Sequence, residues 1–326
     1  MSLHADEYLL VTKNNVVGFG GGLEKMDWIK KTDRLKNIEK YVKRKELAIE
    51  YGFTYGEGLY LKAKGVKSRP GRSPVDVMRQ VKDADELMKI RKSMQIVEKV
   101  FKLVKKEIKK PGITEIKLAK FIEAAGLKMG AEDVSFPAIV ASGANAAIPH
   151  HLPSAKRLIS GESIIIDFGF KFKAYCSDFT RTVFLKTVPK KLEMAYNQTE
   201  KAYNQSIEFI NVGQARGLHS ERAGRGPALH AGDVYKKSVH VLAEKHLEKY
   251  FIHSLGHGTG LEIHELPNLS PNSKDVLQNN MVFSIEPGVY FPGLGGIRIE
   301  DLVYLEKGKV KKFINVSTKL KDNIIL

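Results

Sequence analysis

Two aspartates sit in neighbouring apolar stretches of the chain and could together bind a cation. Asp167 ends a run that begins at Ile164, and Asp178 stands just before a second run that ends at Leu185. A turn centred near residues 172 and 173 would make these runs a hairpin, with the aspartates facing each other roughly 5 Å apart at their β-carbons. Facing carboxylates repel each other unless a proton or cation lies between them, and divalent metals take carboxylate oxygens readily.

The same construction occurs again near the carboxyl end of the chain. Glu286 follows the apolar run that begins at Val282, and Glu300 follows Ile297 to Ile299. Gly293 lies midway between the two glutamates, so a second hairpin would present a second facing pair. One such pair could be incidental, but two pairs in apolar strands indicate a duplicated architecture around a shared charge, for which a metal is the natural choice.

A glycine-rich segment with three histidines supplies nitrogen ligands. His253, His257 and His264 fall within twelve residues, and the glycines between them allow close backbone approach. The spacing differs from the zinc-peptidase helix, which carries a glutamate directly after its first histidine. One histidine with four carboxylates is a mostly hard-oxygen set, which suits Mn or Co better than a structural zinc site, while Zn and Fe remain possible.

These residues require helices and a strand-rich sheet to position them. Asp83 and Glu86 have the spacing of a capping box, and apolar residues follow at helical intervals as far as Ile108. A second helix is predicted from Thr114 to Met129, and the chain then becomes strand-rich. Residues 1–80 read as a small α/β domain, and residues 81–326 as the α+β domain that carries the candidate site.

Composition restricts the remaining classes. A chain of 326 residues with 43% hydrophobic content can bury a full core. It has no run of eighteen apolar residues and no secretory pattern, and its single cysteine, Cys176, fits a reducing compartment, so we expect a cytoplasmic protein without a membrane partner. The net charge of +16 is spread along lysine-rich helical faces without a nucleic-acid motif, so we expect no nucleic-acid partner.

With these motifs in place, the stretch from Asp83 to Val303 resembles the superfamily of creatinase, methionine aminopeptidase and Xaa-Pro peptidases. The resemblance implies the pita-bread fold, preceded by a small α/β amino-terminal domain. It also implies two divalent ions per chain, with ligands in three roles. Asp167 would chelate one ion, Asp178 and Glu300 would bridge both, and His257 and Glu286 would hold the other.

The stretch from Phe136 to Pro153 resembles the substrate loop of the proline-peptidase branch, whereas methionine aminopeptidases usually have a His-Gly-Ile-Pro sequence there. By this resemblance His150 is the catalytic histidine that contacts the substrate, and His264 is its proton-shuttling partner. His253 would line the proline pocket. Arg298 also matches a residue of the family and joins the substrate-binding set.

The resemblance therefore implies a dinuclear exopeptidase that hydrolyses Xaa-Pro bonds at the amino terminus of peptides or in Xaa-Pro dipeptides. A metal-bridged hydroxide would attack the carbonyl, and Glu286 would carry the proton to the leaving nitrogen. His150 and His264 would steady the intermediate. A homodimer is also implied. The alternatives are a methionine aminopeptidase and a non-catalytic pita-bread binding protein.

Overall fold

The computed structural model describes residues 8–11, 16–19, 31–33, 42, 46–49, 54–215 and 228–326. The chain divides into two compact units, Met1–Val75 and Asp76–Leu326. The predicted boundary between residues 80 and 81 falls a few residues further along the chain.

The described part of the first unit combines short strands with one helix, as expected of a small α/β unit. Its elements are β1 (Tyr8–Val11), β2 (Val16–Phe19), β3 (Lys31–Asp33), β4 (Glu46–Ile49), α1 (Tyr55–Ala63) and β5 (Lys67–Pro70). Strand β2 pairs with β1 in antiparallel and with β3 in parallel orientation, and β4 runs parallel to β5. A capping box between Thr54 and Glu57 begins the helix.

Side chains cap the start of two long helices in the second unit. The described helices of this unit are α2 (Pro74–Arg79), which starts just before the unit boundary, α3 (Ala84–Glu107), α4 (Glu115–Lys128), α5 (Lys190–Ala215) and α6 (Ala231–Ala243). The capping box of Asp83 and Glu86 is present, and Thr114 caps α4, so both predicted helices are confirmed. Short 3₁₀ helices cover Gly143–Ala147, Glu248–Tyr250 and Leu320–Asn323. None of the helices within the described ranges has the length and apolar character needed to cross a bilayer.

The strands of the second unit form one large sheet with small two- and three-stranded extensions. They are β6 (Asp133–Val134), β7 (Ile139–Ser142), β8 (Ser163–Asp167), β9 (Phe170–Phe172), β10 (Tyr175–Cys176), β11 (Phe179–Leu185), β12 (His257–Gly258), β13 (Glu265–Asn268), β14 (Val282–Ile285), β15 (Gly288–Phe291), β16 (Gly295–Arg298), β17 (Glu300–Glu306), β18 (Lys309–Lys312) and β19 (Ile324–Ile325). The large sheet has the order β13-β12-β14-β17-β11-β8-β7, with β18 beside β17 and β19 beside β11.

Two hairpins form the centre of this sheet. One consists of β8 and β11, and beyond it β9 and β10 continue as a smaller ladder. The other consists of β14 and β17, and β15 and β16 continue it in the same way. Strands β11 and β17 are neighbours, with Thr180 opposite Glu300, so the two hairpins lie side by side and their acidic residues meet at one end of the sheet. The predicted duplicated construction is therefore confirmed.

The sheet lies between two apolar clusters, because successive residues of its central strands point to opposite faces. Val183 packs into a cluster with α3 and α4, whereas Phe184 packs into a cluster with α5 and α6. Leu302 and Val303 divide between the same two clusters. Burial of each such side chain contributes about 1.5–3 kcal/mol relative to exposure, which makes the hairpins a rigid platform for the acidic residues.

Candidate active site

The predicted site residues line a single cleft in the second unit, with a volume of about 580 Å³. All of the residues singled out from the sequence are among them: His150, Asp167, Asp178, His253, His257, His264, Glu286, Arg298 and Glu300. Their roles remain expectations, but the fold brings them together from six separate stretches of chain.

The predicted register of the first hairpin is wrong by two residues. Asp167 lies opposite Thr180 rather than opposite Asp178, which is the diagonal neighbour. The turn is centred between Lys173 and Ala174, one residue later than predicted, and both have positive φ values of 47° and 66°. A two-residue hairpin turn of this kind needs left-handed backbone at both positions, which Asn and Gly usually supply, so neither residue marked the turn.

The predicted register of the second hairpin is confirmed. Ile285 pairs with Asp301, and on the far side Gly288 pairs with Arg298. The same register places Glu286 opposite Glu300. Two carboxylates therefore face each other directly in this hairpin.

Three of the predicted ligands form a tight cluster. One donor atom from each of Asp178, His257 and Glu300 lies within 4.8 Å of the others. The Nε2 atom of His257 is 3.5 Å from Asp178 Oδ2 and 3.4 Å from Glu286 Oε1. Asp167 lies opposite Thr180, whose hydroxyl contacts Glu300, so it borders the same group.

The backbone holds His257 with one nitrogen facing the carboxylates. Its Nδ1 lies 3.0 Å from the carbonyl oxygen of Gly258, which fixes the proton on Nδ1 and leaves the Nε2 lone pair directed at the cluster. Burial lowers the pKa of His257 and favours this neutral form. The chain passes closely here, because a Cβ on Gly256 would lie 2.0 Å from the carbonyl oxygen of Ser284.

The carboxylates of the cluster repel one another in a buried site. Burial and then the neighbouring carboxylates raise the pKa of Asp178 and of Glu300 well above the usual range, and burial raises that of Glu286. Asp167 Oδ1 and Glu300 Oε1 are buried without a hydrogen-bond partner among the residues that the structure describes. Orphaned oxygens beside a free imidazole nitrogen fit a divalent cation, so the residues present match the expected metal.

Arg298 links the cluster to the predicted substrate loop. Its guanidinium donates to Asp167 Oδ2 at 2.6 Å, to the Tyr290 hydroxyl at 2.8 Å and to the carbonyl oxygen of Pro149 at 3.3 Å. The Tyr290 hydroxyl lies 2.8 Å from Nε2 of His253. The arginine therefore contacts one predicted metal ligand, one residue of the predicted substrate loop and the tyrosine beside His253 at once.

The other histidines lie at the edge of the cluster. The ring of His264 meets that of His257 edge-on, with centroids 4.4 Å apart. Burial and then His257 lower the pKa of His264, and burial lowers that of His253. His150 faces the same cleft beside Pro149.

Two residues that support the site were not predicted from the sequence. Thr180 donates to Glu300 Oε2 at 2.6 Å, and Tyr290 joins His253 to Arg298. Alternation along β11 places Thr180 on the same face as Asp178, and this signal could have pointed to it. Tyr290 carries no comparable signal, because only the folded hairpin brings it to His253.

The two acidic hairpins and the flanking helices define the pita-bread class of metallopeptidase fold, as predicted. Residues 88–307 match metallopeptidase family M24, and the chain belongs to that family.

Proteins named for action on proline peptides are among the relatives. An Xaa-Pro dipeptidase of Pyrococcus horikoshii is 31% identical over 294 residues, which cover 88% of this chain and 79% of that protein. A Mycoplasma genitalium protein provisionally named as an Xaa-Pro aminopeptidase is 38% identical over 234 residues, or 71% of this chain, and the match spans only 62% of its length. The solved prolidase from Pyrococcus furiosus superposes with a TM-score of 0.80 at 28% identity, covering 97% of this chain and 92% of that one. These similarities confirm the predicted resemblance to the Xaa-Pro branch.

Proposed function

We propose that this chain is a metal-dependent exopeptidase that hydrolyses Xaa-Pro bonds, at the amino terminus of peptides or in Xaa-Pro dipeptides. The observation that carries the proposal is the single cleft in which the acidic cluster, the histidines and Arg298 meet. The similarity to Xaa-Pro dipeptidases and prolidases supports the choice of substrate.

Glu286 is the proposed general base. It lies 3.4 Å from His257, and Ser284 donates to the same carboxylate oxygen at 3.1 Å. Burial raises its pKa in the metal-free fold, and a carboxylate placed beside the attacking water can accept its proton. Divalent ions bound at the cluster would lower the pKa of the attacking water and polarise the scissile carbonyl. Glu286 would then take the water proton and deliver it to the leaving proline nitrogen.

The remaining cleft residues would bind the substrate. Phe136, Ile139 and Pro149 add an apolar lining that suits a pyrrolidine ring. His150 and His264 would donate to the oxygen that gains negative charge. His253 would close the proline pocket, held in place by Tyr290.

The proposal includes two ions per chain, held by Asp167, Asp178, His257, Glu286 and Glu300. The oxygen-rich set favours Mn or Co, with Zn and Fe as the alternatives. Peptides are the proposed partners rather than nucleic acid or membrane, and a homodimer in the cytoplasm completes the proposal. Elemental analysis would count the ions, and light scattering would give the oligomeric state.

Hydrolysis of Met-Pro, Ala-Pro-Gly and Met-Ala-Gly tests the proposal, using protein reloaded with Mn or Co. A chelated sample and a Glu286→Gln variant exclude a contaminating peptidase. We expect chelator-sensitive cleavage of the proline peptides only, and the preferred length would separate dipeptidase from aminopeptidase. Cleavage of Met-Ala-Gly alone would instead assign a methionine aminopeptidase. Absence of cleavage in metal-loaded protein would favour a non-catalytic binding protein.

A further inference from the structure

A buried carboxylate outside the metal cluster anchors the loop that carries His150. Glu115 is the first residue of α4, and its side chain is fully buried. The loop runs from the end of β7 to the start of β8. Leu152 on this loop is 78% exposed.

The Glu115 carboxylate accepts hydrogen bonds from residues of this loop on both sides of His150. Oε1 accepts from the amide and the hydroxyl of Ser142 at 2.7 and 2.8 Å. Oε2 accepts from the amide and the hydroxyl of Ser154 at 3.1 and 2.6 Å, and Asn145 Nδ2 is 3.1 Å from both oxygens. Burial alone would raise the pKa of Glu115, but these donors outweigh it and lower the pKa. The hydrogen bonds to the Glu115 carboxylate thus all come from residues of this loop.

Glu115 also contacts His151, the residue that follows the predicted substrate histidine His150. His151 Nε2 lies 3.2 Å from Glu115 Oε2, so the ring of His151 is turned toward the carboxylate. Pro149, on the other side of His150, accepts from Arg298 at 3.3 Å. His150 is therefore held between a contact to α4 and a contact to the arginine that also binds Asp167.

We propose that Glu115, through His151, is a positioning residue that aligns His150 with the metal cluster. This inference rests on the proposed function for its consequence in catalysis. A displacement of about 1 Å of a substrate-contacting group can cost about 100-fold in rate. We call the contacts of Glu115 with Ser142, Asn145, His151 and Ser154 the clamp. Loss of the clamp should therefore lower kcat/KM without changing how much metal the protein holds.

Glu115→Gln is the direct test, because it keeps the size but turns an acceptor oxygen into a donor that faces other donors. We expect a 10- to 100-fold loss of kcat/KM on an Xaa-Pro peptide, unchanged metal content, and faster amide hydrogen exchange over residues 143–153. Glu123→Gln is the matched control, since Glu123 lies on the same helix and accepts from the amide of Ala138 at 3.2 Å. It should behave as wild type.

A double-mutant cycle with His150→Ala separates positioning from a general structural role. If Glu115 acts through His150, Glu115→Gln should have little further effect on activity once His150 is gone. A loss of the same size in both backgrounds overturns the proposal. Should Glu115→Gln not fold, His151→Leu enters the same cycle, and His151→Gln should restore much of the activity because its amide can still donate. Failure of either expectation for these His151 variants then overturns the proposal.

The two proposals fail in different ways. Wild-type protein that cleaves none of the peptides contradicts the proposed function, and the exchange measurement then decides on the clamp alone. Exchange of residues 143–153 that is no faster in Glu115→Gln, or in His151→Leu, than in Glu123→Gln contradicts the clamp, whatever the activity.

Discussion

Asp178→Asn should have opposite effects on the stability of the metal-free and the metal-loaded protein. Without metal, Asp178 lies among buried carboxylates, and its donor atom is within 4.8 Å of that of Glu300. Two unit charges at that distance repel each other by about 3.5 kcal/mol at an effective dielectric constant of about 20. Partial protonation reduces this, so the substitution should stabilise metal-free protein by about 2–3 kcal/mol.

With metal the order should reverse. The two proposed ions, each at 100 times its Kd, would together stabilise the native state by about 5.4 kcal/mol, and a variant that lacks a carboxylate predicted to contact both ions should lose most of this. For a domain of this size, 1 kcal/mol corresponds to a shift in Tm of about 2–4 °C. In thermal unfolding, Asp178→Asn should therefore have the higher Tm in chelator, and wild type should have the higher Tm in excess Mn. The two Tm values should differ by several degrees in each condition.

The pH dependence follows from the same cluster. The pKa values of Asp178, Glu286 and Glu300 are raised in the metal-free fold, so these groups bind protons more tightly when folded than when unfolded. Their contribution to stability is complete below the unfolded pKa, about 4, and is lost as pH rises through the folded values. The stability of metal-free wild type relative to Asp178→Asn should thus fall as pH rises from about 4, because His253, His257 and His264, whose lowered pKa values act in the opposite direction, are the same in both proteins.

Asp85→Asn is the control, because it removes the same charge from an exposed pair with Lys89. Its Tm should stay close to that of wild type both in chelator and in excess Mn. A lower stability of Asp178→Asn than of wild type in chelator would contradict the repulsion among the buried carboxylates. An increase in its Tm with Mn as large as that of wild type would contradict the part of Asp178 in metal binding.

Three further substitutions test the supports of the cluster. Thr180→Val removes the donor to Glu300 and should weaken metal binding about 10-fold or more by chelator competition, whereas the buried Thr199→Val should not. Arg181→Met breaks a buried ion pair with Asp301 and should lower the free energy of unfolding in urea by about 3–5 kcal/mol. Lys201→Met, which breaks a surface ion pair with Glu244, should lower it by less than about 1 kcal/mol. Gly256→Ala would place a Cβ 2.0 Å from a backbone oxygen beside His257 and should lower both Tm and metal affinity, whereas Gly58→Ala, with open space around it, should lower neither. Equal effects in a variant and its control would contradict the corresponding contact.

Local signals predicted the helices well. The capping box at Asp83 and Glu86 and the cap at Thr114 depend on residues three positions apart, and the structure begins both helices there. No such signal marks Glu115, which has the pattern of an ordinary acidic residue in a first helical turn. Its role depends on Ser154, 39 positions away, so only the fold could reveal it.

The contacts that organise the cleft are also long-range. Arg298 and Asp167 are 131 positions apart, and Thr180 and Glu300 are 120 apart. Residue type and strand alternation identified the carboxylates themselves, because an acidic residue in an apolar strand is unusual wherever its partner lies. They could not identify which neighbour orients each carboxylate.

The error in the first hairpin shows why the predicted site survived it. Moving a turn centre by one residue shifts the cross-strand register by two, and side chains alternate with a period of two. Asp178 therefore stays on the same face as Asp167, although Thr180 now lies opposite Asp167. A slip of one residue would have put the aspartates on opposite faces and removed the site. The face of the sheet on which a residue lies is thus predicted more securely than the residue opposite it. A candidate set of metal ligands can therefore be predicted from sequence even where the hydrogen bonds that orient those ligands cannot.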